Sequence, residues 1–234
     1  MSGYVTLSRQ SGLMAEMRSV AHNLANLSTP GFRREGLLFS EYVHAVEGRD
    51  SVSIARVHAR LSDPGQGELR QTAAPFDLAI EGPGYFEVET PEGRRLTRAG
   101  AFGPGTDGVL RNADGHPVLD EGGAPIAVPL DAGPIAVAPD GTVSTRLGPL
   151  GRLSVVVPDG EEAPQRAAGT LLSAERTRPA EEARILQGAL EGSNVDPVLE
   201  VARMIEVQRA YEAGAAFLDR ESERRREAIR TLTR

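Results

Sequence analysis

The 234-residue sequence predicts an α+β fold, in which long N- and C-terminal helices pack as a coiled coil and a central all-β domain lies between them. Three observations predict it. Apolar residues recur in alternating steps of three and four near both ends of the chain. The stretch between breaks into short strands divided by turn residues. Aromatic residues make up only 4% of the chain, with no Trp, which is thin for one large compact core.

Composition then narrows the chemistry. The chain has no Cys, which excludes a disulfide framework, thiolate metal sites and Cys nucleophiles. All 26 basic residues are Arg, so a Walker A loop, a Schiff-base enzyme or a Lys general base is excluded too. A net charge of -7 argues against nucleic acid as a partner, because phosphate neutralisation needs a basic face. No run of 18 apolar residues exists, so direct membrane insertion is not expected. Ser8-Arg9-Gln10-Ser11-Gly12 interrupts the N-terminus before an apolar signal region can form, so no cleaved signal peptide is expected.

Residues 1–30 read as an N-terminal helical segment. Leu7, Met14, Met17, Ala21 and Leu24 follow steps of seven, three and four, with Gln10 filling the missing position. Thr29-Pro30-Gly31 stops the helix, since Pro disfavours a helical residue before it and Gly allows the turn. Residues 31–75 read as an extended connector. In residues 76–172, strands such as Leu78–Ile80, Tyr85–Glu89 and Arg94–Arg98 alternate with turns at Pro91-Glu92-Gly93, Thr106-Asp107-Gly108 and Pro139-Asp140-Gly141, the pattern of a β domain. Residues 173–194 read as a return connector.

Residues 195–234 form the C-terminal helical segment. Asp196-Pro197 is an N-cap followed by Pro at the first helical position. Val201, Met204, Gln208, Tyr211, Ala215, Leu218, Ser222, Arg225, Ile229 and Leu232 then keep an unbroken three-four spacing. At 1.5 Å per residue this helix is about 50 Å long, and its stripe needs a partner. The N-terminal helix, about 23 residues against about 36, leaves much of that stripe for contacts between subunits.

His22-Asn23-Leu24-Ala25-Asn26-Leu27-Ser28-Thr29-Pro30-Gly31-Phe32-Arg33 closely resembles the Asn-Asn-Leu-Ala-Asn-x-x-Thr-x-Gly-Phe-Lys signature of flagellar basal-body rod and hook proteins. Gly67–Thr72, Phe76–Phe86, Leu96–Phe102 and Gly115–Leu119 resemble further stretches of the same family, in the same order. Gly188–Val198 and Met204–Glu212 resemble its C-terminal motif, so the likeness covers essentially the whole chain. The length and the Leu190-Glu191-Gly192-Ser193-Asn194 run are most similar to the proximal-rod type, with distal-rod and hook-family subunits as the alternative. His22 and Arg33 depart from the signature.

The resemblance implies a structural subunit that polymerises through its terminal helices into an axial driveshaft around the export channel. It also implies export by the flagellar type III apparatus, a place in the basal body, and other rod subunits and further copies of itself as partners. The candidate assembly contacts are the two seams together with the polar Asn23 and Asn26 and the adjoining Gly31 and Phe32.

Sharper readings compete with this one. Gly103-Pro104-Gly105-Thr106-Asp107-Gly108 fits a dinucleotide loop, but strand rather than helix follows it. Asn112-Ala113-Asp114-Gly115 resembles a calcium loop without the bidentate acid at its twelfth position. His22, His44, His58 and His116 have no ligand spacing, so no metal and no cofactor are expected. Asp77 and Glu81 are the one carboxylate pair that a rod-associated cell-wall hydrolase could use; a structural, non-enzymatic role is the stronger expectation.

Overall fold

The computed structural model describes residues 2–46, 49–129, 131–160 and 163–232. It divides into two compact units, each built from stretches distant in sequence. The first comprises residues 1–25, 35–60 and 196–234. It holds helix α1 (Ser2–Ala25), most of a two-stranded sheet of β1 (Glu35–Val46) and β2 (Arg49–Ser62), and helix α2 (Pro197–Leu232). The N-terminus of α2 is built as its sequence dictates. Asp196 Oδ1 accepts from the amides of Val198 at 2.8 Å and Leu199 at 3.1 Å, satisfying two of the donors a helix start leaves free.

The second unit, residues 26–34 and 61–195, is a β body. Its strands are β3 (Leu69–Gln71), β4 (Leu78–Glu81), β5 (Tyr85–Thr90), β6 (Gly93–Thr97), β7 (Phe102–Pro104), β8 (Leu110–Asn112), β9 (Ala136–Val137) and β10 (Thr142–Thr145). They continue with β11 (Gly148–Arg152), β12 (Val155–Pro158), β13 (Gln165–Ala168), β14 (Leu171–Ser173), β15 (Thr177–Pro179), β16 (Arg184–Gln187) and β17 (Ala189–Glu191). The largest sheet runs β13-β14-β6-β5-β12-β15, and a three-stranded one runs β11-β10-β9. Leu78, Ile80, Phe86, Val88, Leu110, Val143 and Leu153 lead the core, with the Phe86 and Phe102 rings edge to face at 5.1 Å. So few aromatics suffice because aliphatic side chains at alternate strand positions fill the space between sheets.

Two antiparallel pairings return the end of the β body to its beginning. Ile185 of β16 lies opposite Ile80 of β4, and Leu190 of β17 lies opposite Arg70 of β3. They place Glu191, the last residue of β17, beside the start of the unit. The glycine-rich stretch at 103–108 is a turn: the Gly105 amide bonds the Val109 carbonyl, and β8 follows rather than a helix. Asn112 closes the 112–115 turn by accepting from the amides of Asp114 and His116.

The expectation of a long-helix coiled coil is overturned, although the fold is α+β. Among the described residues there are two helices, one near each end of the chain, and they pair along a line that keeps only part of the predicted seam. The line that α2 covers runs through Glu200, Met204, Val207, Tyr211, Gly214, Leu218 and Glu221, while Val201 and Gln208 face outward. On α1, Leu7 is 56% exposed and Ala21 is also exposed, whereas the polar Ser19 and Asn23 are buried. The cause is a polar anchor, a hydrogen bond from Asn23 to Glu200, where a coiled coil would seat apolar knobs. Past Glu221 every described residue of α2 is exposed, Ile229 at 61% and Leu232 at 86% among them.

Candidate assembly site

Within the helical unit, Asn23 forms the anchor. Its Oδ1 accepts from the Glu35 amide at 2.8 Å, and its Nδ2 donates to the Glu35 carbonyl at 2.9 Å and to Glu200 Oε2 at 3.2 Å. One buried amide thus joins the last turns of α1, the first residue of β1 and the first turn of α2. Ser19 Oγ adds a bond to the same Glu35 carbonyl at 3.2 Å. The Glu35 carboxylate is buried and meets His22 Nδ1 at 3.3 Å and Arg60 Nη1 at 3.1 Å. Further along, Gln10 Nε2 donates to the Tyr211 carbonyl at 2.9 Å and Arg203 Nε to Glu16 Oε1 at 2.7 Å. Gly214 permits the Gln10 approach, since a Cβ there would collide with the Gln10 amide.

The rest of the signature belongs to the β body. After Asn26, whose Oδ1 accepts from Thr29 Oγ1 at 3.1 Å, the chain turns through Gly31 at φ +67°. That conformation favours Gly, and a Cβ at this position would lie 2.5 Å from the Arg98 carbonyl oxygen. Phe32 is fully buried under the Arg166 guanidinium, 4.5 Å above its ring.

Arg33 and Arg98, only 2% and 4% exposed, close on Glu191 from two sides, at 2.8 Å to Oε1 and 3.0 Å to Oε2. Glu191 Oε1 also accepts from the Gly67 amide at 2.8 Å, and the Glu191 carbonyl from the Gly31 amide at 2.8 Å. Arg98 extends to the carbonyls of Ile80 at 3.0 Å and Gly82 at 2.6 Å. Burial lowers the Arg98 pKa from its ordinary value, the negative charge of Glu191 opposing the shift and the positive charge of Arg33 reinforcing it. Three residues on, Asn194 Oδ1 accepts from the Arg34 amide at 2.6 Å, and Nδ2 donates to the carbonyls of Gly65 at 2.8 Å and Asp63 at 3.3 Å.

Of the residues singled out in the sequence, Asn23, Gly31 and Phe32 are buried. Met14, Met17, Leu24, Asn26, Met204, Tyr211, Ala215 and Leu218 are half-buried. Leu7, Ala21, Val201, Gln208, Ile229 and Leu232 are exposed. Leu7, Met14 and Tyr211 line one shallow recess. Glu35, Arg98, Glu191, Asn194 and Glu200 escaped the sequence reading as site residues. For Arg98, Glu191 and Asn194 a signal existed, because all three stand inside stretches that resemble the family; nothing in the local sequence marks Glu35.

Two family models match stretches of the chain. Residues 186–231 match the model described as flagellar basal body rod FlgEFG protein C-terminal, and residues 79–145 match that of the flagellar hook protein FlgE/F/G D1 domain. The chain is 36% identical to the flagellar basal-body rod protein FlgF of Caulobacter vibrioides over 98% of this chain and 96% of that protein. It is 37% identical to FlgF of Mesorhizobium japonicum over the same shares, 98% and 96%. FlgG of Agrobacterium fabrum is 29% identical over 85% of this chain and 87% of its own length. With its two end motifs folded into one anchor and one clamp, and with relatives matched nearly end to end, the chain belongs to the flagellar basal-body rod protein family and is FlgF-like within it.

Proposed function

We propose that this chain is a proximal-type structural subunit of the flagellar rod, assembling through its helical surfaces with copies of itself and with other rod subunits around the export channel. The observation that carries this reading is the outward apolar surface of α2. Val198, Leu199, Val201, Ile205, Phe217, Ile229 and Leu232 are all exposed on one 36-residue helix. A helix with apolar residues left in water on this scale is stabilised by neighbours rather than by its own propensity. Assembly residues in this reading are Leu7, Ala21, Val201, Ile229 and Leu232, with segments 1–30 and 195–234 as assembly elements flanking the β domain. Asn23, Asn26, Gly31 and Phe32 shape the subunit that presents them.

Export by the flagellar type III apparatus without a cleaved signal peptide completes the reading, as does a place in the basal body without nucleic-acid partners or membrane insertion. Catalysis is no part of it. Asp77 and Glu81 lie four residues apart, one before β4 and one ending it, about 13 Å at strand rise. Glycosidase carboxyl pairs stand about 5–9.5 Å apart.

Mass spectrometry of purified hook–basal bodies from the source bacterium tests the reading. The chain is expected there in proportion to other rod subunits, and Ile229→Asp with Leu232→Asp is expected to remove it while the purified variant keeps its β-sheet signal. Absence of the unaltered chain from intact basal bodies would sink the proposal, as would normal incorporation of the double variant.

A further inference from the structure

The chain passes between its two units at four places: 25/26, 34/35, 60/61 and 195/196. Any force carried along the backbone from one unit to the other travels through those four crossings. On the β side, three segments converge in one bonded cluster. Residues 31–34 lead out to the second crossing, 63–67 lead in after the third, and 191–194 lead out to the fourth. None of the three is joined to another by a regular strand ladder. Single backbone bonds and side chains do the joining instead, and the Asn194 side chain bonds to both of the other segments. Asn194 takes the Arg34 amide, gives to the Asp63 and Gly65 carbonyls, and its own amide donates to the Phe32 carbonyl at 3.3 Å. Asp63 closes the ring, its amide donating to the Arg34 carbonyl at 2.8 Å.

We infer that Asn194 is the positioning residue of a force-carrying joint, locking three chain crossings of the β body together so that load on one is shared by all. The force rests on the rod reading above; the joint rests on the bonding alone. Without the Asn194 side chain the three segments keep their backbone bonds and the contacts of Arg33 and Glu191, but lose the side chain that ties Arg34, Asp63 and Gly65 at one point, so a pull on one segment is shared less with the others. The buried Arg33–Glu191–Arg98 ions lie outside this change, so Asn194→Ala, at a half-buried position, spares the core.

Two measurements on Asn194→Ala separate the joint from the rod reading. On the purified chain, hydrogen exchange should be about tenfold faster at the Arg34 amide, which loses its acceptor, and unchanged at the Leu78 and Phe86 amides of the core. Equal protection of Arg34 in both proteins would overturn the joint, whatever the chain does in the cell. In cells, the variant should enter basal bodies in wild-type amounts and drive normal rotation in dilute medium. It should lose rotation as medium viscosity rises. Normal rotation at every load, with the variant incorporated, would overturn the force-carrying role. Absence of the unaltered chain from basal bodies would overturn only the rod reading, since the exchange measurement does not depend on it.

Discussion

Replacing Glu191 by Gln removes one negative charge and almost no volume, so its effect isolates the ionic part of the clamp. The carboxylate sits between guanidiniums at 2.8 and 3.0 Å, and all three side chains are almost wholly out of solvent. Removing the counter-ion leaves two buried positive charges facing each other. Breaking a buried pair in this way costs about 3–5 kcal/mol, against about 5–15 kcal/mol for a whole domain. The Gly67 amide keeps an acceptor in Gln Oε1, so little of the loss is a missing hydrogen bond. The assay is urea unfolding followed by the β-sheet circular dichroism signal. For a slope near 2 kcal/mol per molar, the midpoint should fall by about 2 M with the slope unchanged. Glu68→Gln is the control, because its partner Arg70 and Glu68 itself are 72% and 70% exposed. An exposed pair of that kind contributes about 0–1 kcal/mol. A midpoint for Glu191→Gln no lower than that of the control would refute the reasoning, since it would mean that water already reaches the guanidiniums.

Gly31→Ala should destabilise the same body through the backbone. A positive φ costs a residue with Cβ about 1–2 kcal/mol, and the clash with the 98–99 backbone adds about 1–3 kcal/mol more. A thermal midpoint within 2 °C of the parent, by about the usual conversion, would contradict this. A third expectation concerns acid. The hydrogen bond from Arg111, then that from the Val109 amide, holds the Asp107 carboxyl below its ordinary pKa; the Thr142 amide and hydroxyl do the same for Asp140. Depressed carboxyl values stabilise fully above the unfolded pKa, about 3.9, and that contribution is lost as pH falls through the lower folded value. Asp107→Asn with Asp140→Asn should therefore flatten the stability curve below about pH 4 and leave its shape near neutrality unchanged; an acid limb as steep as the parent's would contradict it.

What the sequence revealed, it revealed where the physics is local. The Asp196-Pro197 start of α2 needs only the cap side chain and two following amides, and it folds as the spacing predicts. Turns at 105–108 and 112–115 are likewise decided by their own Gly and Asn residues. The face α2 turns inward is another matter. Apolar spacing favours the line through Val201 and Gln208, but the helix buries Glu200 and Val207, one residue away, because Asn23 reaches Glu200 across 177 positions. A buried glutamate contradicts every local hydrophobicity rule and becomes reasonable only once its distant donor is in place. Glu191 escaped for the same reason, since its partners arrive from Arg33 and Arg98 by way of the fold.

Why that clamp is ionic at all follows from the backbone it joins. A buried ion pair adds little net stability over well-packed apolar side chains, so stability alone is a poor reason to keep one. The segments meeting at Glu191 leave polar backbone groups that strand ladders there do not take: the Gly67 amide, and the carbonyls of Gly82 and Gly65. Glu191 accepts from the first, Arg98 donates to the second, and Arg33 and Asn194 donate to the third. Each such group left without a partner would cost about 1–3 kcal/mol, so an apolar substitute for the triad would forfeit several at once. The charges are then needed to balance one another, since a lone Arg or Glu in that position would be worse than either alternative. A polar clamp of this kind is the solution open to a chain that must bring the end of one strand pairing together with segments outside any ladder in one dry place.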